Sequence, residues 1–217
     1  MFLHKHPYEP FIRNDTTKLI VGTLPPPRFS VGELLEKDVN FCYGSYYNSL
    51  WLYIDKIHRL NFRYDNSNQA IKERKDYLIE HKIGICDIVE SAERKKIDAS
   101  DLGMSNIKLR DLVGFILRFP RIDTILFTGG NSKNGPEYFF RRHLKSYGLK
   151  LHLIENEIPR IHEFRLDDRR IRTVSLTSCS GAANISVSRN PLFQQLKLRN
   201  PDFNTFDFRI LQYQEYL

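Results

Sequence analysis

The sequence predicts an α/β fold in which helices cover both faces of a parallel sheet. Short apolar runs of strand length alternate with longer segments of helical periodicity, and Pro or Gly residues separate the two kinds of segment. Continuously apolar strands are typical of a parallel sheet that is buried on both faces. In such folds the functional site lies at the carboxyl ends of the strands.

The length and composition predict one folded domain, spanning residues 1–217. The 217 residues are 41% hydrophobic, and they contain no repeat, Gly/Ser linker or low-complexity tract. Lys and Arg total 33 against 26 Asp and Glu, which gives a formal net charge of +7. That excess favours a polyanionic partner, and it equally fits a basic protein whose charges only keep it soluble.

Three features exclude other classes of protein. The chain has no run of about 18 apolar residues, so no transmembrane helix is predicted. Pro7 and Pro10 interrupt the first residues, which argues against a secretory signal. Cys42, Cys86 and Cys179 are too few and too scattered for a disulfide framework or a four-cysteine metal site. We therefore expect a cytoplasmic protein.

Buried strands are predicted where short apolar runs end in turn residues. Pro25 stops the first run, because proline cannot donate to a β-ladder. The second run carries Asp87 near its end, and the third ends in two glycines. The predicted strands are residues 18–23, 83–89, 123–130, 151–154 and 172–176.

Helices are predicted where apolar residues recur at helical spacing. Pro120 closes one of these segments, and Gly148 supplies the C-cap of the next. The predicted helices are residues 49–60, 67–81, 109–119, 135–147, 191–198 and 206–217.

The common cofactor and nucleophile motifs are missing. Residues 128–136 follow a strand and open a helix as a nucleotide-binding loop does, but Pro136 stands where a phosphate-binding lysine would follow the glycine. A glycine turn before a helix is therefore the favoured interpretation. Residues 178–181 lack the G-x-S-x-G frame, and His4 and His6 lack a metal-ligand spacing. We expect neither a metal nor a cofactor.

The most informative stretch is the proline loop at residues 22–27 and the aromatic segment after it. Asn48 follows the aromatic residues and could hydrogen-bond a substrate or a water, or it could simply cap the next helix. The tyrosines offer flat faces for stacking on a base, or they could pack in the core. These tyrosines are Tyr43, Tyr46 and Tyr47.

Five motifs in a fixed order resemble those of the uracil-DNA glycosylase superfamily. They are GTLPPP, YGSYYNSLW, GICDIVESAERKKIDASD, ILFTGG and SLTSCSGAANIS, and together they span residues 18–186. The set looks most similar to the hypoxanthine (deoxyinosine) DNA glycosylase branch. The resemblance implies a three-layer α/β/α sandwich with a central, mainly parallel four-stranded sheet. Residues 191–217 would then be a C-terminal helical extension packed on this domain.

The resemblance also implies which residues bind and cleave the substrate. The loop that holds the water and pinches the DNA backbone would be Gly22, Thr23, Leu24 and Pro25. Many members carry Asp or Asn where this chain has Leu24, and leucine cannot orient a water. The hypoxanthine branch uses instead the residue that corresponds to Asn48, while Tyr43 would stack on the extruded base. Asp87 would read the base edge or help to fix the water.

The resemblance places a minor-groove loop at residues 178–184. Ser178 would support the leaving base, although relatives often carry His or Asn there, and Ser180, Gly181 and Ala182 would contact DNA. Phosphate contacts are predicted for basic residues near the strand ends, for each of which a solvated surface charge is the alternative. They are Arg28, Lys133 and Arg189, with Arg141, Arg142 and residues 94–96 as further candidates.

The predicted function is that of a monofunctional DNA glycosylase acting on a deaminated base, hypoxanthine first and uracil second. Its partner would be DNA and not a membrane, it would need no cofactor, and it would act as a monomer. One alternative is a nucleic-acid-binding protein that kept the fold and lost the chemistry. Another is an α/β enzyme acting on free nucleosides or nucleotides.

Overall fold

A computed structural model of the chain describes residues 1–95 and 101–217. The strands in that part of the chain are β1 Phe2–Lys5, β2 Lys18–Gly22, β3 Ile83–Asp87, β4 Val89–Arg94, β5 Met104–Leu109, β6 Thr124–Phe127, β7 His152–Glu155, β8 Arg160–Leu166 and β9 Arg169–Ser175. The α-helices are α1 Pro27–Val31, α2 Leu50–His58, α3 Asn68–Glu80, α4 Leu112–Arg118, α5 Pro136–Ser146, α6 Asn184–Ser188, α7 Pro191–Arg199 and α8 Thr205–Gln214.

The main sheet has the strand order β3-β2-β6-β9-β8-β7 in the described residues. Strands β3, β2, β6 and β9 pair in parallel, whereas β8 and β7 add to the sheet in antiparallel pairing. The prediction of a four-stranded sheet is therefore wrong, because the sheet has six strands and mixed pairing. The missed strand β8 alternates buried His162, Phe164 and Leu166 with charged residues, so it presents no continuous apolar run.

A second, smaller sheet of order β1-β4-β5 is fully antiparallel in the described part of the chain. Strand β4 begins only two residues after β3 ends, so the predicted strand over residues 83–89 spans the end of one strand and the start of another. Strand β5 occupies residues that precede the helix predicted over 109–119. Consequently that helix begins later, at Leu112, where Asp111 accepts a hydrogen bond from the Gly114 amide at 2.9 Å.

Helices cover both faces of the main sheet. Along β2, Leu19 and Val21 belong to a buried cluster that includes residues of α4 and α5. Ile20 points to the opposite face, into a cluster with residues of α2, α3 and α8. Successive side chains of a strand lie on opposite faces, so β2 contributes to two cores at once.

Residues 191–214 form helices α7 and α8, and α8 packs on the main core. Tyr213 of α8 lies against Tyr53 of α2, with ring centroids 5.0 Å apart. Asn204 caps α8 by accepting from the amides of Phe206 and Asp207. Helix α8 thereby reaches the end of the sheet where the site lies.

No helix among the described residues is long and apolar enough to cross a membrane. The cysteines Cys42, Cys86 and Cys179 are all buried and free. Burial raises the pKa of the Cys86 and Cys179 thiols to about 12, so both are protonated at neutral pH.

Candidate functional site

A cleft of about 630 Å³ opens at the carboxyl ends of the four parallel strands, where the fold class predicts a site. It brings together segments that are far apart in the sequence. The predicted site residues that line it are Gly22, Thr23, Leu24, Pro25, Arg28, Tyr43, Asn48, Asp87, Ser178 and Ser180. Four predicted DNA-binding residues do not line the cleft: Lys133, Gly181, Ala182 and Arg189.

Gly22 lies at the crowded floor of the cleft, where it pairs in register with Asp87 across β2 and β3. A Cβ added to Gly22 would overlap the hydroxyl oxygen of Tyr43 and lie 2.7 Å from Oδ1 of Asp87. It would also lie 3.0 Å from Oγ1 of Thr128. Only glycine lets these three polar groups converge on one point.

The carboxylate of Asp87 is held by a histidine from the N-terminal segment. Asp87 and His6 are both buried, and Nε2 of His6 lies 2.9 Å from Oδ2 of Asp87. Nδ1 of His6 accepts a hydrogen bond from the Tyr8 amide at 3.1 Å. Because Nδ1 is an acceptor, the proton of the neutral ring is on Nε2, which donates to the carboxylate. Oδ1, near Gly22, is the carboxylate oxygen left toward the cleft.

Tyr43 is mostly buried and forms part of the cleft wall. The backbone of Tyr43 lies in the left-handed region, with φ of 59°. Its hydroxyl oxygen lies 3.2 Å from Oγ1 of Thr128. Burial, with the nearby Asp87 carboxylate, raises the pKa of Tyr43 well above its ordinary value. The side chain is therefore a neutral phenol that faces the cleft.

Asn48 lies just before α2 and also lines the cleft. Its Oδ1 accepts from the Leu50 amide at 2.9 Å, as a residue at the start of α2 would. The same side chain lines the cleft. A carbonyl oxygen has two lone pairs, so capping the helix leaves one of them to accept from a water or a substrate.

The loop after β9 is fastened to the segment that carries Asn48. The Ser49 amide donates to the Cys179 carbonyl at 3.1 Å, and Asn48 and Ser180 form an isolated antiparallel bridge. This pairing explains how residues 130 positions apart come to line one cleft.

Helix α8 holds the same loop from its other side. Nη1 of Arg209 donates to Oδ1 of Asn184 at 2.8 Å, and Nη2 donates to the Ser180 carbonyl at 3.3 Å. The Tyr213 hydroxyl donates to the Thr177 carbonyl at 2.8 Å. The buried Arg209 guanidinium thus joins the C-terminal helix to the cleft loop.

Arg28 lines the cleft, but its guanidinium is bound to the protein. Nε and Nη2 donate to the two carboxylate oxygens of Asp38 at 2.7 and 2.8 Å, and Nη2 also donates to Oγ of Ser45 at 2.8 Å. Burial alone would raise the pKa of Asp38, but hydrogen bonds from Arg28 and two amides outweigh it and lower that pKa. A phosphate contact by Arg28 stays a prediction.

The other predicted phosphate contacts lie in different surroundings. Lys133 and Arg189 are exposed and lie in turns. Arg141 is bound to Glu137 and His162, with Nε 2.7 Å from Oε1 of Glu137. Arg94 is buried and donates to Nδ1 of His4 at 2.8 Å. The prediction that Arg94 contacts a phosphate is therefore wrong. Lys96, within the predicted stretch 94–96, lies outside the described residues.

The cleft-lining residues that the sequence analysis did not assign to the site include Thr128, Arg160 and Glu137, and His6 was missed as a support behind the cleft. Thr128 follows β6 and bonds Tyr43, and Arg160 enters the cleft wall at the start of the missed strand β8. Glu137 is 1% exposed, and its Oε2 accepts from the Ser175 hydroxyl at 2.7 Å. The glycine turn before α5 places Glu137 there, and no motif indicates it.

The described residues contain no obvious set of metal ligands. None of the groups of His, Cys, Asp and Glu in that part of the chain has three or more members placed to hold a metal ion.

No protein-family model matches the chain, and neither does any curated protein. A solved structure does match: the solution NMR structure of a candidate uracil DNA glycosylase from Methanosarcina acetivorans. The match covers 99% of this chain and 96% of that one, with a TM-score of 0.56 and 16% identity. The two proteins share a fold. At that identity the similarity establishes the α/β architecture of this chain and not its reaction.

Proposed function

We propose that this protein is a DNA glycosylase that hydrolyses the N-glycosidic bond of a deaminated base flipped out of DNA. The observation that carries the proposal is the convergence of Asp87, Asn48 and Tyr43 on one cleft with the loop after β9, residues 178–184, which we call the Ser178 loop. The fold similarity to the Methanosarcina acetivorans protein supports the same conclusion. We propose hypoxanthine and uracil as the bases, hypoxanthine first.

Asp87 supplies a way to recognise deaminated bases. An ionised carboxylate only accepts hydrogen bonds, and an extruded base is read at its Watson–Crick edge. Deamination of adenine or cytosine turns a ring nitrogen acceptor at that edge into an N–H donor. Oδ1 of Asp87 would accept from this N–H, while the lone pair of an unmodified adenine or cytosine would face the carboxylate with like charge. Because His6 occupies Oδ2, the acceptor has a defined direction.

Asn48 and Ser178 would act on the glycosidic bond. The second lone pair of Asn48 Oδ1 aims a water at the sugar, although an amide is too weak a base to deprotonate it outright. Negative charge develops on the departing base, where a hydrogen-bond donor is most effective. The Ser178 oxygen accepts from the Ser180 amide at 3.2 Å, which leaves its own hydrogen to donate toward the base.

Base extrusion has an energetic cost that favours damaged DNA. Unpairing and unstacking a base costs a few kcal/mol, and a mismatched or damaged base costs least. The net charge of +7 favours binding to phosphates, and the exposed Lys133 and Arg189 are candidates for these contacts. Tyr43 would stack on the extruded base.

The test uses duplex oligonucleotides that carry one uracil, hypoxanthine, xanthine or T·G mismatch. Each duplex is incubated with protein and then treated with alkali, which cuts the strand where a base has been released. We expect scission on the hypoxanthine or uracil duplex, and its loss in Asn48→Ala and Asp87→Ala. The control is Asn190→Ala, because Oδ1 of Asn190 makes the same 2.9 Å bond to the amide two residues on, at Leu192.

One alternative has a specific observation in its favour. Asn48 Oδ1 is engaged by Leu50, and Leu24 cannot orient a water, which is what a DNA-binding protein without activity would show. Salt-sensitive DNA binding without scission on any substrate would establish that alternative. Release of hypoxanthine from free deoxyinosine but not from DNA would instead establish a nucleoside hydrolase.

A further inference from the structure

We propose that Tyr47 is the stacking wedge of this protein: its ring stacks on the bases beside the position from which a base has been extruded. The proposal rests on the proposed function, since it concerns the DNA that the cleft would bind. It assigns a role to the lip of the cleft formed by the Asn48 segment, which pairs with the loop after β9.

Tyr47 is an unusually exposed aromatic residue at the cleft mouth. It lines the cleft beside Asn48, and 68% of its surface is exposed, against 9% for Tyr43 on the wall. The neighbouring Tyr46 is 51% exposed, and the two rings lie edge to face with centroids 5.2 Å apart. Large aromatic surfaces left in water beside a cleft are typical of a binding surface.

The turn beneath the two rings is built from buried polar groups. Oδ1 of Asp38 accepts from the Tyr46 amide at 2.7 Å, and Oγ of Ser45 accepts from the Tyr47 amide at 3.2 Å. Arg28 ties Asp38 to Ser45 with its 2.8 Å bonds to both side chains. The backbone of both tyrosines is thus fixed, so little conformational freedom is lost when a ligand contacts the rings.

The Ser178 loop offers no side chain of comparable size. Its tip at Gly181, Ala182 and Ala183 carries at most a methyl group. An extruded base leaves a gap in the stack, and proteins that deform DNA fill such gaps with large apolar side chains. Ile185, 67% exposed on α6, is the competing wedge.

At this lip the Tyr47 ring offers a flat face to a base, and Nζ of the exposed Lys37 lies 5.6 Å from the ring centroid of the neighbouring Tyr46. The guanidinium of Arg28 lies 5.7 Å from the ring centroid of Tyr47, but Asp38 neutralises its charge. Aromatic rings stack on any base, at about 1–3 kcal/mol per base, which corresponds to roughly a five- to 150-fold change in Kd. A wedge would therefore be tolerant of sequence and selective for an interrupted stack.

The experiment measures binding of the full chain to a duplex with a stable abasic analogue opposite 2-aminopurine, and to the matched intact duplex. We expect wild-type protein and Tyr47→Phe to prefer the abasic duplex and to change its 2-aminopurine emission. Tyr47→Ala should lose about tenfold in Kd for the abasic duplex only, together with the emission change. Leu198→Ala is the control, since Leu198 is 84% exposed on α7, away from the cleft.

Three results would overturn the proposal. They are equal preference in Tyr47→Ala and wild type, loss of preference in Ile185→Ala instead, and no preference for the abasic duplex in wild-type protein. Failure of the proposed function looks different. If the protein releases no base but prefers the abasic duplex in a Tyr47-dependent way, the glycosylase proposal is contradicted and the wedge proposal is supported.

Discussion

Nε2 of His6 donates a hydrogen bond to Oδ2 of Asp87 at 2.9 Å, across 81 positions of the sequence. Strand β1 of the small sheet ends at Lys5, so the edge of one sheet fixes a carboxylate at the end of a strand in the other. The bond orients Asp87, and the Tyr8 amide in turn orients His6. The small sheet is therefore a structural support of the cleft.

Replacing His6 should slow base release strongly and lower the free energy of unfolding only moderately. In His6→Leu the buried Asp87 loses its donor, and leaving a buried acceptor unpaired costs about 1–3 kcal/mol of unfolding free energy. His6→Gln keeps an amide donor and should recover part of the activity. Urea denaturation and single-turnover base release measure the two effects. Equal activity of His6→Leu and wild type would show that the bond serves stability alone.

Gly22→Ala should abolish activity by displacing polar groups of the cleft. The added methyl group would overlap the Tyr43 hydroxyl and approach Oδ1 of Asp87 to 2.7 Å, and such overpacking costs about 1–3 kcal/mol. Adding Tyr43→Phe removes the overlapped oxygen. The double variant should therefore be more stable than Gly22→Ala alone, as measured by thermal unfolding. A double variant with additive losses would contradict the geometry.

The stability of the protein should fall between pH 7 and pH 5 because of His4. Burial, with the charge of Arg94, lowers the pKa of His4 from 6.5 to about 4. The unfolded chain therefore binds a proton in this range and the folded chain does not, so acid favours unfolding. The loss amounts to about 2 kcal/mol between pH 7 and pH 5. Unfolding free energies of His4→Gln should depend less on pH, and an unchanged slope would rule His4 out.

Arg209→Leu should weaken DNA binding while the fold is retained. The change releases the Ser180 carbonyl and the Asn184 side chain, which loosens the cleft loop. We expect about a tenfold weaker Kd for DNA, corresponding to 1.4 kcal/mol, and faster amide exchange in residues 180–184. Arg209→Lys should recover part of both, and Arg199→Leu on exposed α7 is the control. Unchanged exchange in the loop would contradict a clamp by α8.

The sequence predicts the cleft better than it predicts the supports behind it. Gly22 and Asp87 end two apolar strands and Thr128 directly follows a third, and parallel strands place their carboxyl ends at one edge, so their meeting follows from the fold class. His6 and Arg209 come from the two ends of the chain and carry no periodic or motif signal. Their contacts depend on tertiary packing, which local patterns do not encode.

The sheet was mispredicted for a related reason. Strand β8 shows the alternation of a half-buried antiparallel strand, whereas a continuous apolar run is the pattern of a buried parallel strand. The family resemblance likewise implies four strands only. The extra strands matter for the site, because Arg160 reaches the cleft from β8.

The most direct test of the account is single-turnover release of hypoxanthine or uracil from duplex DNA by four proteins: wild type, Asp87→Asn, Asn48→Ala and Asn190→Ala. An amide at position 87 presents a donor as well as an acceptor, so recognition of the base N–H should weaken. We expect release by wild type and Asn190→Ala, and a loss of about 100-fold or more in the other two, within the range for removed catalytic donors and bases. Absence of release by wild-type protein, or full activity of Asp87→Asn, would contradict the account.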